Sequence, residues 1–382
     1  MKNKMKQWLI IPIIMTLLLA LIPSKAKASF YASAQSAILM EQSSGRVLYE
    51  KNAYKPMRIA SITKIMTAII AIESGEMDEM VKVSNSAVKT EGSSVYLIPG
   101  EKIKLEDLVY GLMLRSGNDA AIAIAEHVGG SLDGFVYLMN QKAEEIGMKN
   151  THFANPHGLD DHENHLSTAF DMALLTRYAM NNKVYKKISG TKVHRSPHPT
   201  ENWDRKWTNK NRLLTGLYDY TTGGKTGFTK RAKRTLVSTA TKGELDLIAV
   251  TLNGPDDWND HIQMYEAGFK TYQLVEVLPK GLIKNMKDEF YKKKVYVDHS
   301  FVYPVTAKEK EQFRIEYKML NPNREWKEDI PEIVGRTIIY FGDQQVKTMP
   351  IYYKQVEEED KQSFFDRFRN LFISIVGVRT NG

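Results

Sequence analysis

Ser61-Ile62-Thr63-Lys64-Ile65-Met66-Thr67-Ala68-Ile69-Ile70-Ala71-Ile72-Glu73 is the stretch on which the fold turns. Ile62, Ile65, Met66, Ile69 and Ile70 cover most sides of a helix, so this helix is expected to be buried. Ser61 and Lys64, three residues apart at its start, share a face. A free serine is a weak nucleophile and needs an adjacent base. Lysine ordinarily titrates near 10.4, so serving as a base near pH 7 requires a depression of about 3 units, roughly 4 kcal/mol. Burial, a second cation and the positive end of a helix all push in that direction. Ser-x-x-Lys also occurs at Ser24/Lys27, Ser86/Lys89 and Ser189/Lys192, but only the Ser61 copy opens a strongly apolar helix.

Two further short motifs follow in order, Ser116-Gly117-Asn118 and Lys225-Thr226-Gly227, and each occurs once. All three fall at element junctions. Ala37–Met40 and Arg46–Tyr49 read as a hairpin through Ser43-Ser44-Gly45. Leu105–Leu114 and Ala120–Val128 read as helices flanking the second motif, followed by helices over Phe135–Ile146 and Met172–Met180. The polar stretch 150–168 reads as a long loop. From Thr222 to Leu252 the pattern becomes strands. Strands at both ends of a helical middle suggest a sheet covered by helices. After about residue 278, lysines cluster between Lys280 and Lys294, and short alternating strands with turn signals indicate a small all-β domain over 279–355.

Ser-x-x-Lys, Ser-x-Asn and Lys-Thr-Gly together form the signature of penicillin-binding proteins and active-site-serine β-lactamases. The chain resembles the low-molecular-mass serine D-Ala-D-Ala carboxypeptidases along most of its length, with the sporulation, spore-cortex type nearest. Arg58-Ile-Ala-Ser61, Leu114–Ala121, Asn155-Pro-His-Gly-Leu-Asp160 and Ser167–Met172 add to the likeness. The resemblance implies an α+β fold, a helical cluster packed on an antiparallel five-stranded sheet, followed by the β domain. It implies hydrolysis of the terminal D-Ala-D-Ala bond of peptidoglycan pentapeptide stems through a serine acyl-enzyme that penicillin also forms. Ser61 would attack, Lys64 would take its proton, and Ser116 would sit in the proton path to the leaving group. Asn118 would bond the peptide, and Lys225 with Thr226 would hold the terminal carboxylate. The N–H groups of Ser61 and of Phe228, next to Gly227, would form an oxyanion hole, worth about 3–4 kcal/mol per donor. His157 would shape the cleft. Position 228 departs from the family, which commonly carries His there; a backbone donor survives that change and a side-chain role does not. The alternatives sharing these motifs are a serine β-lactamase, although no glutamate stands in the Asn155–Asp160 segment, and a D,D-endopeptidase or transpeptidase of the same fold.

No cofactor is expected, and no metal. His152, His157, His162 and His165 invite a zinc reading, but His162-Glu-Asn-His165 has the wrong spacing for two ligands on one helix face. The chain contains no cysteine. That excludes a disulfide framework, a thiolate nucleophile and zinc–thiolate or iron–sulfur sites.

The 382 residues allow about two domains, and 42% hydrophobic with 26% charged residues is ordinary globular composition. The ends differ from the rest. Residues 1–28 read as a secretory signal: Lys2, Lys4 and Lys6, an apolar run from Trp8 to Leu21, and an Ala26-Lys27-Ala28 cleavage site. Residues 29–278 would then be the catalytic domain. In the final segment, 356–382, an acidic linker precedes Phe364, Phe365, Phe368, Leu371, Phe372, Ile375 and Val376, a single apolar stripe. Its roughly 20 Å length cannot cross a bilayer but could lie on its surface. The expected location is outside the cell, at the outer face of the cytoplasmic membrane or wall, with the forespore envelope as the sporulation variant. The net charge of +8 includes the five lysines before Ser29, and removing them leaves +3. Global charge therefore gives no argument for nucleic acid. The expected partners are the peptidoglycan stem peptide, β-lactams and a membrane surface.

Overall fold

The computed structural model describes residues 31–322, 326 and 330–354, which divide into two units between Tyr272 and Gln273. The signal reading (1–28) and the acidic linker with its amphipathic helix (356–382) lie outside the described residues. Among the described residues no helix is long and apolar enough to cross a membrane.

The strands of the first unit are β1 (Ser36–Glu41), β2 (Val47–Lys51), β3 (Met80–Lys82), β4 (Lys102–Lys104), β5 (Val193–Pro197), β6 (Asp204–Thr208), β7 (Thr221–Thr229), β8 (Lys233–Lys242) and β9 (Leu245–Leu252). Its helices are α1 (Lys64–Glu73), α2 (Asn85–Val88), α3 (Leu105–Tyr110), α4 (Asn118–Val128), α5 (Leu132–Ile146), α6 (Ala169–Met180), α7 (Lys183–Ser189) and α8 (Asp257–Thr271). The main sheet is antiparallel, in the order β2-β1-β9-β8-β7. β1 reads Ser-Ala-Ile-Leu-Met-Glu and is buried throughout, because β2 and β9 flank it and α6 and α8 both pack on it. Every residue of α1 from Lys64 to Ile72 is buried, as its near-continuous apolar surface demands. α4, α5 and α6 pack around it.

Two features position the chemistry. Ser61 lies in a 3₁₀ turn, Ala60–Thr63, that runs directly into α1. The helix expected over Leu105–Leu114 is α-helical only to Tyr110. It then widens into a π turn, Gly111–Arg115, ending at Ser116 in the left-handed conformation (φ 66°). Such turns concentrate at functional sites. A Cβ on Gly111 would meet Val95 at 3.1 Å and Trp207 at 3.3 Å, so a side chain at the start of the wider turn would crowd its neighbours.

In the second unit, the strands are β10 (Gln273–Leu278), β11 (Gly281–Leu282), β12 (Val295–Val297), β13 (Phe301–Val305), β14 (Phe313–Met319), β15 (Ile333–Phe341) and β16 (Gln344–Tyr353). They make a sheet ordered β11-β12-β16-β15-β14 and a β10–β13 pair, around Tyr291, Val295, Val305, Val334, Ile339 and Ile351. The boundary falls six residues before the one expected from composition. β10 resembles the preceding strands in texture, but its ladder partner is β13.

Candidate active site

The Lys64 ammonium nitrogen is buried and has three polar neighbours: Asn118 Oδ1 at 2.7 Å, the His157 carbonyl oxygen at 2.6 Å and Ser61 Oγ at 3.1 Å. Burial, then the charges of Lys225 and Lys210, hold its pKa well below the usual lysine value, against a smaller opposing pull from Asp119. A neutral amine has two hydrogens and one lone pair. Asn118 Oδ1 and the His157 carbonyl can only accept, so they take both hydrogens. The lone pair is left for Ser61, whose hydroxyl can donate to it. This is the arrangement a serine nucleophile with a lysine base requires.

A second lysine completes the opposite wall. Lys225, on the edge strand β7, places Nζ 3.1 Å from Ser116 Oγ and 2.7 Å from the Thr226 carbonyl oxygen. Burial, followed by Lys210, lowers its pKa to about 7. Gly227 is required by proximity: a Cβ there would stand 2.4 Å from Thr235 Oγ1 and 2.9 Å from the Ser61 backbone nitrogen. Thr235 Oγ1 itself donates to the Ile59 carbonyl at 2.9 Å, tying β8 to the serine turn. Phe228 is 64% exposed, so its ring is free for a ligand rather than spent on the core.

All nine residues singled out from sequence lie in or beside this cluster, and His157 meets it through its backbone carbonyl. Its ring is buried, and burial followed by the charge of Lys64 lowers its pKa to about 3, so it is neutral. What it supplies to the cluster is its backbone carbonyl. That loop is pinned by Asn155, whose Oδ1 accepts from the His157 and Gly158 backbone N–H groups at 3.3 and 2.7 Å, and by Thr67, which donates to the Pro156 carbonyl at 2.6 Å. His165 accepts from the Ala154 N–H through Nδ1, which leaves Nε2–H to donate to Thr63 Oγ1 at 2.8 Å. The His157 and His165 rings each accept a backbone N–H of this loop, from Leu159 and from Ala154. At the rim, Glu163 bridges Arg231 (2.6 and 2.7 Å) and Arg58 (2.7 Å), linking the same loop to the turn after β7. These pairs are exposed and add little stability.

Four supporting residues stand outside the nine candidate site residues. Asp119 is buried and accepts from Ser94 Oγ at 2.6 Å and from the backbone N–H groups of Val95 and Leu97, so it moulds the 93–97 loop beside Asn118. Ser93 in that loop accepts the Asn118 backbone N–H at 2.7 Å and lies 3.2 Å from Lys210 Nζ. Lys210 and Thr235 carry no local signal at all; the fold alone delivers them.

Two depressed lysines predict a pH signature. Any reaction using Lys64 as base gains rate as pH rises through its lowered value. Pairing with an anionic ligand weakens as Lys225 loses its charge near about 7. The expected kcat/KM profile is a bell with its falling limb near neutrality, reported for the pair rather than for either lysine alone. The falling limb of kcat should lie higher, because a bound carboxylate restores the Lys225 charge. Stability has its own sign. A lysine whose folded value lies below its unfolded value favours folding as pH rises, so stability should climb between about 7 and the unfolded value near 10.5. Steady-state rates and melting curves across pH 5–10 check both expectations.

Comparison with known proteins agrees with this geometry. The family model described as D-alanyl-D-alanine carboxypeptidase matches residues 23–256. The chain is 38% identical over 250 residues to D-alanyl-D-alanine carboxypeptidase DacF of Bacillus subtilis, covering 63% of each chain. It is 38% identical over 256 residues to D-alanyl-D-alanine carboxypeptidase DacC of Escherichia coli, covering 63% of this chain and 62% of that one. The match thus spans less than two thirds of the length of these curated relatives. Among solved structures, penicillin binding protein 5 of Haemophilus influenzae superposes with a TM-score of 0.69 at 26% identity, over 85% of this chain and 97% of that one.

Proposed function

The chain belongs to the D-alanyl-D-alanine carboxypeptidase family, and from that premise we propose that it removes the terminal D-alanine from peptidoglycan pentapeptide stems. The observation that carries this reading is the buried Lys64 Nζ, held 2.7 Å from Asn118 Oδ1, 2.6 Å from the His157 carbonyl and 3.1 Å from Ser61 Oγ, a setting in which the neutral amine gives its two hydrogens to the first two and its lone pair to Ser61. In the proposed reaction Ser61 Oγ attacks the carbonyl of the penultimate D-alanine while Lys64 takes its proton. The oxyanion rests between the N–H groups of Ser61 and Phe228, a pairing supported by the close approach of Gly227 to the Ser61 nitrogen. Ser116, bonded to Lys225, hands a proton to the departing D-alanine nitrogen. Lys225 and the Thr226 hydroxyl hold the terminal carboxylate, and Asn118 holds the stem peptide. Water then hydrolyses the acyl-enzyme. The peptide would lie along β7, which ends the order of its sheet and has no strand on its outer edge among the described residues.

Mass spectrometry of a pentapeptide muropeptide after incubation tests the reading: loss of one D-alanine is expected, and an unchanged mass overturns it. With penicillin the acyl-enzyme should persist. Release within seconds would indicate a β-lactamase instead, and cleavage of cross-linked dimers would indicate an endopeptidase.

The finer parts of the reading belong here too. Residues 1–28 would direct export, 29–272 would form the catalytic domain, 273–355 a β domain, and the stripe at Phe364–Val376 would hold the enzyme on the outer membrane surface. A role at the spore cortex is the sporulation variant, tested by whether the protein appears only in sporulating cells.

A further inference from the structure

α4 carries Asn118 at one end and His127 at the other. His127 Nε2 lies 3.4 Å from Glu76 Oε2 and 3.3 Å from Glu79 Oε2, on the connection between α1 and β3. The three donor atoms fall within 4.8 Å of one another. Nε2 is shut off from solvent and has no hydrogen-bond partner, although two carboxylates flank it. Its spacing from them is longer than the usual N–H···O distance of about 2.9–3.0 Å. It is the spacing of ligands around one ion. Zinc bonds of about 2.0–2.2 Å set on a tetrahedron place neighbouring ligand atoms about 3.3–3.6 Å apart. In such a site the oxygens stand off the axis of the ring nitrogen, which points at the ion and not at either oxygen.

Charge leads to the same conclusion. Two carboxylates face at most one positive imidazolium, whereas a divalent ion with a neutral imidazole balances both. The lysines nearby are engaged elsewhere, Lys104 with Asp78 and Lys142 with Glu73 and Glu145. The ligand turn is built by backbone bonds: the Glu79 N–H donates to the Glu76 carbonyl at 2.8 Å, and the Leu105 N–H donates to the Glu79 carbonyl at 2.9 Å. We propose that His127, Glu76 and Glu79 bind a divalent transition-metal ion, with Zn²⁺ the best fit and water as the fourth ligand. One imidazole among carboxylates disfavours Mg²⁺ and Ca²⁺, which prefer all-oxygen sites. The ion is structural: it clamps the end of α4 remote from Asn118 to the α1–β3 connection.

The test uses chelator-stripped full-length protein titrated with ZnCl₂ and read by calorimetry and by melting. One equivalent should bind, and excess Zn²⁺ at about 100 times Kd should raise Tm by about 5 °C or more. Loss of groups that merely orient a ligand costs about 10–100-fold in affinity, so His127→Gln and Glu79→Gln should each weaken binding by about 100-fold or more. His299→Gln, at an exposed histidine of the second unit, should bind like the parent. Melting in metal-free buffer reports whether each variant is folded, and the exposed Glu79 leaves a variant that tests the site should His127→Gln fail to fold. No saturable binding by the parent, or parental affinity in folded Glu79→Gln, overturns the proposal.

Discussion

Lys64→Met is expected to cut the rate of Ser61 acylation by about 10⁴-fold or more, for peptide and penicillin alike, while the protein stays folded. Methionine nearly matches the volume of lysine but offers no lone pair for the Ser61 proton, and removing one member of a nucleophile–base unit costs about that much. Arginine is no substitute, because a guanidinium does not deprotonate. Stability should fall modestly. The exchange removes an amine whose charged form burial penalises, but it strands Asn118 Oδ1 and the His157 carbonyl, which accept from Nζ at 2.7 and 2.6 Å. A buried acceptor left unpaired costs about 1–3 kcal/mol. Adding Lys64→Met to Ser61→Ala should cost little further rate, since the pair acts as a unit. Fluorescent-penicillin labelling over time is the measurement, and a variant labelling within tenfold of the parent would remove Lys64 from the role of base.

The parts of this site that were legible in sequence are those whose spacing is local. Ser61 and Lys64 share a helix face because they are three apart, and the apolar run behind them announces burial. Ser116-Gly-Asn118 and Lys225-Thr-Gly227 mark ends of elements, where chain direction changes and polar groups collect. The partners that complete the chemistry are not local. The carbonyl accepting from Lys64 comes from His157 and the charge that helps depress both lysines comes from Lys210; no periodicity relates these positions. α8 was illegible for another reason. Its buried face includes Asp257, Asp260 and His261, which read as surface residues. Asp260 is buried because it accepts from the Ser33 and Ala34 N–H groups at 2.7 and 3.0 Å. His261 is buried because Ser238 and Thr251 on the sheet satisfy its two nitrogens. Polarity that is satisfied only across the fold cannot be told from solvation by pattern. The same holds for Glu76, Glu79 and His127, which the α1–β3 connection and α4 bring together.

Gly158→Ala is expected to disable the site from a position that touches no substrate. Gly158 has φ +86°, a conformation costing an L-residue about 1–2 kcal/mol. A Cβ there would also stand 1.9 Å from the Ala60 carbonyl oxygen and 2.9 Å from Thr63 Oγ1. The first of these is backbone and cannot swing aside, so the loop or the serine turn must move, at an overpacking cost of about 1–3 kcal/mol. Together these predict about 2–5 kcal/mol of destabilisation, or about 5–15 °C in Tm for a unit of this size. Either movement displaces the His157 carbonyl from Lys64 or Ser61 from the amine, and misplacement on the scale of 1 Å costs about 100-fold in rate. Gly147→Ala separates the two causes. Gly147 has nearly the same φ, +87°, with nothing within 4 Å of an added Cβ, so it bears the conformational cost alone. Gly147→Ala should therefore melt only slightly early and acylate at the parental rate. Equal melting and equal acylation in the two variants would show that the Gly158–Ala60 contact does not hold the base against its serine.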